Sequence, residues 1–142
     1  LPHLCARMDC EEGRVQNTFA VRLEPGANVN FEWRDWSKSA YRTGPQLRLN
    51  AGKLWVNGKD LMELPQGQWL QCEISANVGT VNTGEWTLKV TVPNQPPHEF
   101  KNLPFDNFKF NRLTWIGFSS DANAKAVYYL DDFSVDLQRG NK

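Results

Sequence analysis

Apolar and polar residues alternate with a period of two along most of this chain, in short runs that end at Gly, Pro or Asn. Phe19, Val21 and Leu23 alternate with Ala20 and Arg22 up to the turn Glu24-Pro25-Gly26. Val29, Phe31 and Trp33 share one face of the next run, with Asn30, Glu32 and Arg34 on the other. Leu47 and Leu49 alternate with Gln46, Arg48 and Asn50. Leu54 and Val56 form a short strand, which Asn57-Gly58 turns as a hairpin into residues 61–64. After the break at Pro65-Gln66-Gly67, residues 69–76 place Leu70, Cys72 and Ile74 on one face. Trp86, Leu88, Val90 and Val92 alternate with Thr87, Lys89 and Thr91 until Pro93, Pro96 and Pro97 end the run. Phe100 and Leu103 belong to a short extended piece. Residues 113–118 are apolar on both faces, as in a strand covered twice or lying beside a binding groove, and residues 127–137 form the last strand. Residues 1–14 show no period and read as irregular, 78–84 and 121–125 read as loops, and no window sustains a helical period. The pattern predicts an all-β domain over residues 1–142, a two-sheet antiparallel β-sandwich.

The stretch FEWRDWSKSAYRTGP (residues 31–45) departs from simple alternation. It starts as a strand, continues as a polar loop that still carries Trp36 and Tyr41, and closes on the breaker pair Gly44-Pro45. A pyranose offers apolar C–H faces and polar edges. Flat aromatics give it a platform, and planar donors and acceptors fix its hydroxyls. Trp36 and Tyr41 fit the first role, flanked by Arg34 and Asp35. Trp55 is out of phase with Leu54 and Val56, so its ring faces outward, and Arg48 shares the outer side of the neighbouring strand. The candidate carbohydrate surface is therefore Trp36, Tyr41 and Trp55, with Arg34, Asp35 and Arg48 as hydrogen-bonding groups. A second reading stands beside it, in which Trp36 caps the core edge and Arg34 pairs with Asp35. Trp33, Trp86 and Trp115 keep phase with aliphatic neighbours and read as core. Trp69 reads as packing on a neighbouring loop, and one of Tyr128 and Tyr129 must lie outside.

Charge and composition narrow the function. Sixteen basic residues balance sixteen acidic ones without a run of like charge, so neither nucleic acid nor an anionic membrane surface is an expected partner. No apolar run is long enough to span a bilayer. LPHLCARMDCEEG lacks the apolar core of a signal peptide, so an exported protein would carry its signal upstream. Cys72 reads as a buried thiol, whereas Cys5 and Cys10 are near enough in sequence to bridge in an oxidising compartment. The two histidines, His3 and His98, are too few for a zinc site, with His98 remote from the cysteines, and they supply no nucleophilic triad. Asp131 and Asp132 point to opposite faces of a strand unless a bulge intervenes, and Glu32, Glu73 and Glu85 show no partner across a cleft. The expectation is a domain that binds without catalysing.

Six pieces, FEWRDW, YRTGP, PQGQWLQCEI, GEWTLKVTVP, RLTWIGFSS and YYLDDFSV, together resemble concanavalin-like, laminin-G-type jelly-roll modules of bacterial extracellular polysaccharide-active proteins, over residues 15–137. The resemblance implies a jelly roll and an extracellular or periplasmic accessory module that binds a polysaccharide and targets an attached enzyme. It also implies neighbouring domains in a longer parent chain. Laminarinase-like hydrolases of similar topology carry an E-x-D-x-x-E strand; here Asp131-Asp132 is followed by Phe133-Ser134-Val135, without it. Such modules often hold a structural calcium, for which Asp131, Asp132 and Asp136 are the candidate oxygen ligands; no other cofactor is expected. The alternatives are a structural or protein-interaction domain and, behind it, a glycoside hydrolase or polysaccharide lyase.

Overall fold

The computed structural model describes residues 3–120 and 127–140; the loop expected at 121–125 lies outside them. The strands are β1 (His3–Cys10), β2 (Gly13–Leu23), β3 (Asn28–Asp35), β4 (Arg42–Asn50), β5 (Lys53–Val56), β6 (Lys59–Glu63), β7 (Trp69–Val78), β8 (Glu85–Thr91), β9 (His98–Pro104), β10 (Leu113–Ser120) and β11 (Tyr128–Gln138). A 3₁₀ turn at Gly79–Val81 is the one helical piece among the described residues, and no helix there is long and apolar enough to cross a membrane. Sheet A has six strands in the order β1-β10-β3-β4-β5-β6, and sheet B has five in the order β11-β2-β7-β8-β9. Neighbouring strands pair antiparallel, and the whole is a jelly-roll β-sandwich.

Each strand's apolar phase faces the other sheet. Phe31 and Trp33 on β3, Leu47 and Leu49 on β4, and Leu54 and Val56 on β5 meet Phe19 and Val21 on β2, Leu70 and Ile74 on β7, and Leu88 and Val90 on β8. The rings of Phe19, Phe31 and Phe118 lie with centroids 4.8 to 5.0 Å apart at the centre. Burying a side chain of this size contributes about 1.5–3 kcal/mol relative to leaving it in water.

The structure corrects several expectations. Within the segment 1–14 expected to be irregular, the described residues form strands: β1 runs along the free edge of β10, and β2 begins at Gly13. As an edge strand β1 exposes Leu4, Cys5, Arg7 and Asp9, so no clean apolar face marks it in the sequence. Trp115 is not core. Ile116 and Phe118 are the β10 residues that turn inward, which leaves Trp115 on the outer face. Leu113 is buried out of step with them, where the β1–β10 register shifts. Gly44-Pro45 lies inside β4 rather than ending a loop, at a register shift against β3. Phe110 fills the space there, and a Cβ on Gly44 would sit 2.6 Å from its ring.

All three cysteines are free, with Cys5 exposed and Cys10 buried. Cys72 is buried as expected, and desolvation pushes its thiol up to about 12. Trp69 is exposed rather than packed away, and Tyr129 is the outward member of its pair. A bulge does separate Asp131 from Ser134, with Asp132 at φ 52°. Yet among the described residues no group of three or more His, Cys, Asp and Glu side chains is placed to hold a metal ion.

Candidate functional site

The outward residues of sheet A fall into rows that cross the strands in register. One row reads Ser119, Asn30, Arg48, Trp55 and Asp60; the next reads Cys5, Gly117, Glu32 and Gln46; the third reads Arg7, Trp115, Arg34 and Thr43. Alternation of side chains produces this surface, because the same strands that send Phe31, Leu47 and Leu54 inward send Glu32, Arg48 and Trp55 outward.

Around Trp55 lies a recess of about 360 Å³, lined by Asn30, Gln46, Leu47, Arg48, Asn50, Trp55, Asn57 and Gly58. The indole is fixed by its Nε1–H, which donates to the Asn50 carbonyl at 3.1 Å. Lys53 stands 5.9 Å from its centroid and pairs with Asp60 at 3.1 Å. In the next row Glu32 acts as a hub. Its Oε1 accepts from Asn30 Nδ2 at 2.9 Å and Gln46 Nε2 at 3.3 Å, and its Oε2 from Arg34 Nε at 2.7 Å and Thr43 Oγ1 at 3.1 Å. A carboxylate held by four donors sets the amides of Asn30 and Gln46 in fixed orientations.

The second aromatic group stands two rows away. Trp36 is 47% and Tyr41 41% exposed, with ring centroids 4.6 Å apart. The Arg34 guanidinium lies between Tyr41 and Trp115, its carbon 4.1 Å and 4.0 Å from the two centroids. Trp115 leans over Gly117, where any Cβ would overlap its indole. A recess of about 510 Å³ opens here, lined by Arg7, Met8, Trp36, Thr114 and Trp115.

Five of the six residues singled out from sequence therefore reach this face: Arg34, Trp36 and Tyr41 in one group, Arg48 and Trp55 in the other. Asp35 does not. It is 2% exposed, and its oxygens accept from Ser37, Asn111 and Arg112 inside the protein, so it pairs neither with Arg34 nor with a ligand. Sequence reasoning missed Asn30, Gln46, Asn50, Asn57, Trp115 and Arg7. The outward phase of Asn30, Gln46 and Asn50 was readable, but only the pairing of β3, β4 and β5 shows that they border one recess. Glu73 and Glu85 belong to sheet B, where Glu73 takes Gln16 and Lys89, so they do not converge with Glu32.

No protein-family model and no curated protein matches this sequence. Solved structures do. A marine alginate lyase of family PL-14 from Aplysia kurodai superposes with a TM-score of 0.61 at 10% identity, covering 90% of this chain and 71% of that one. An endo-β-1,4-glucuronan lyase from the fungus Trichoderma reesei gives 0.57 at 11% identity, over 96% and 76%. CG-16, a homodimeric agglutinin from chicken liver, gives 0.55 at 13% identity, over 95% and 100%. What is shared is the fold. At these identities the likeness establishes a concanavalin-like jelly roll, and the expected kinship with bacterial modules gains no sequence match.

Proposed function

We propose that this protein is a carbohydrate-binding domain without catalytic activity, and that the outer face of sheet A receives a saccharide. The observation that carries the reading is the Trp55 recess, where a fixed indole stands among the amides of Asn30, Gln46, Asn50 and Asn57 and the guanidinium of Arg48. An aromatic plane serves the apolar face of a sugar ring, and oriented amides serve its hydroxyls. The polysaccharides named for two lyases of like fold, alginate and glucuronan, support the same class of ligand. Attached to an enzyme outside the cell, such a domain acts by raising the local concentration of substrate.

A lyase is the second reading, favoured by the two lyases of like fold and by Tyr41 lying against Arg34. We hold to binding alone, with two carboxylates of this face, Glu32 and Asp60, each bound to a cation at 2.7 Å and 3.1 Å. Affinity electrophoresis and a glycan array test the proposal. Trp55→Ala is expected to weaken retention about tenfold or more at an unchanged melting temperature. A blank across plant, algal and animal glycans would leave a protein-interaction domain instead. Turnover of a polyuronide that Tyr41→Phe abolishes would make it an enzyme.

A further inference from the structure

The recess between Trp36 and Trp115 differs in chemistry from the recess at Trp55. Asn30 and Arg34 stand four residues apart on β3, and Trp115 and Trp55 three strands apart, which separates the two aromatic stations by about 20 Å. Both walls of the second recess are set by the protein. Trp115 rests on Gly117 and against Arg34, while Trp36 rests on Tyr41 and donates its backbone N–H to Thr114 Oγ1 at 2.9 Å.

Charge distinguishes it further. Glu32, in the neighbouring row, is bound to Arg34 at 2.7 Å. Asp9, further along β1, is bound to Arg112 through two contacts of 2.7 Å and 2.8 Å. Arg7 is exposed, stands in register beside Trp115, and pairs with no carboxylate among the described residues. The recess thus combines two fixed indoles with a guanidinium whose fork is open. That fork matches a carboxylate or a sulfate through two parallel hydrogen bonds, and a neutral hydroxyl gains much less from it.

We infer that this recess is a subsite for an anionic sugar, one that bears a carboxylate or a sulfate ester; the assignment rests on the carbohydrate reading above. The ring stacks against Trp115 or Trp36 and the acidic group meets Arg7. A chain long enough to touch both stations is held at Trp55 for its ring and at Arg7 for its charge.

Isothermal titration with three hexasaccharides tests this: one from alginate, one from κ-carrageenan, and neutral cellohexaose. The carboxylated or the sulfated probe is expected to bind about tenfold or more tightly than cellohexaose, with a preference that falls as salt rises. Which of the two gains tells carboxylate from sulfate. Arg7→Gln, at an exposed position, is expected to remove the preference while leaving cellohexaose unchanged. Gly117→Ala, which displaces Trp115, is expected to weaken the anionic probes in a protein that circular dichroism shows to be folded. Equal affinity for the three probes, or a preference that survives Arg7→Gln, overturns the subsite. If Trp55→Ala loses binding and Arg7→Gln loses nothing, the subsite alone falls; if no hexasaccharide binds the wild type, the carbohydrate reading falls with it.

Discussion

Four donors converge on the buried carboxylate of Asp35: the backbone N–H and hydroxyl of Ser37 at 2.9 Å and 2.5 Å, and the backbone N–H groups of Asn111 and Arg112, each at 3.1 Å. Together they staple the exit of β3 to the entrance of β10 and so position the loop that carries Trp36 and Tyr41. Desolvation pushes the Asp35 pKa up, but the hydrogen bonds from Ser37, Asn111 and Arg112 outweigh it and hold the group below the usual carboxylate range. A group depressed in the folded state stabilises above its unfolded pKa, near 3.9, and loses that contribution as pH falls through its lower folded value. Asp35→Asn turns an amide N–H₂ toward donors and is expected to cost about 1–3 kcal/mol at neutral pH. Its melting temperature should approach that of the wild type as pH falls below about 4, which calorimetry across a pH series measures. The position itself was legible: Val29, Phe31, Trp33 and Asp35 share one phase. A charged residue in that phase reads as a loop residue until Asn111 and Arg112, far along the chain, are seen to supply its partners.

At the level of single strands, alternation marked β2, β3, β5, β7 and β8 because each packs one face on the core and turns the other to water. It failed for β1, an edge strand, and misplaced Trp115, because β10 is apolar on both sides and its phase cannot be read from residue type alone. β11 adds a feature that no pattern announces. Asn17, fully buried on β2, accepts from Trp33 Nε1–H at 3.1 Å and donates to the Ser134 carbonyl at 2.8 Å, beside the bulge of β11. One amide thus ties the central tryptophan of sheet A to the edge strand of sheet B. Asn17→Leu leaves both of those groups unpaired, and the expected loss is about 1–3 kcal/mol for each. Hydrogen exchange should rise first in β11, with the β3–β4 ladder protected as before; equal deprotection of both sheets would contradict this role.

For the molecule as a whole, the sandwich class followed from many short strands and turns, but the order of strands in each sheet did not. Hairpin neighbours such as β3–β4 and β5–β6 are local, whereas Ile116 finds Trp33 and Gln138 finds Arg14 across most of the chain. The same distance divided the site: Trp55 and Arg48 lie on neighbouring strands and were found, while Trp115 and Arg7 come from the two far ends of the sequence. Non-local pairing of this kind slows folding, and refolding followed by tryptophan fluorescence is expected in the millisecond-to-second range or slower. During synthesis the delay is longer. β3 is complete and has β4 beside it some sixty to seventy residues before β10 exists, an interval of several seconds at about 5–20 residues per second. For that interval the strand destined for the middle of sheet A is a bare edge, with Phe31 and Trp33 beside it, so a nascent chain is exposed to mispairing at an element that later lies between two neighbours.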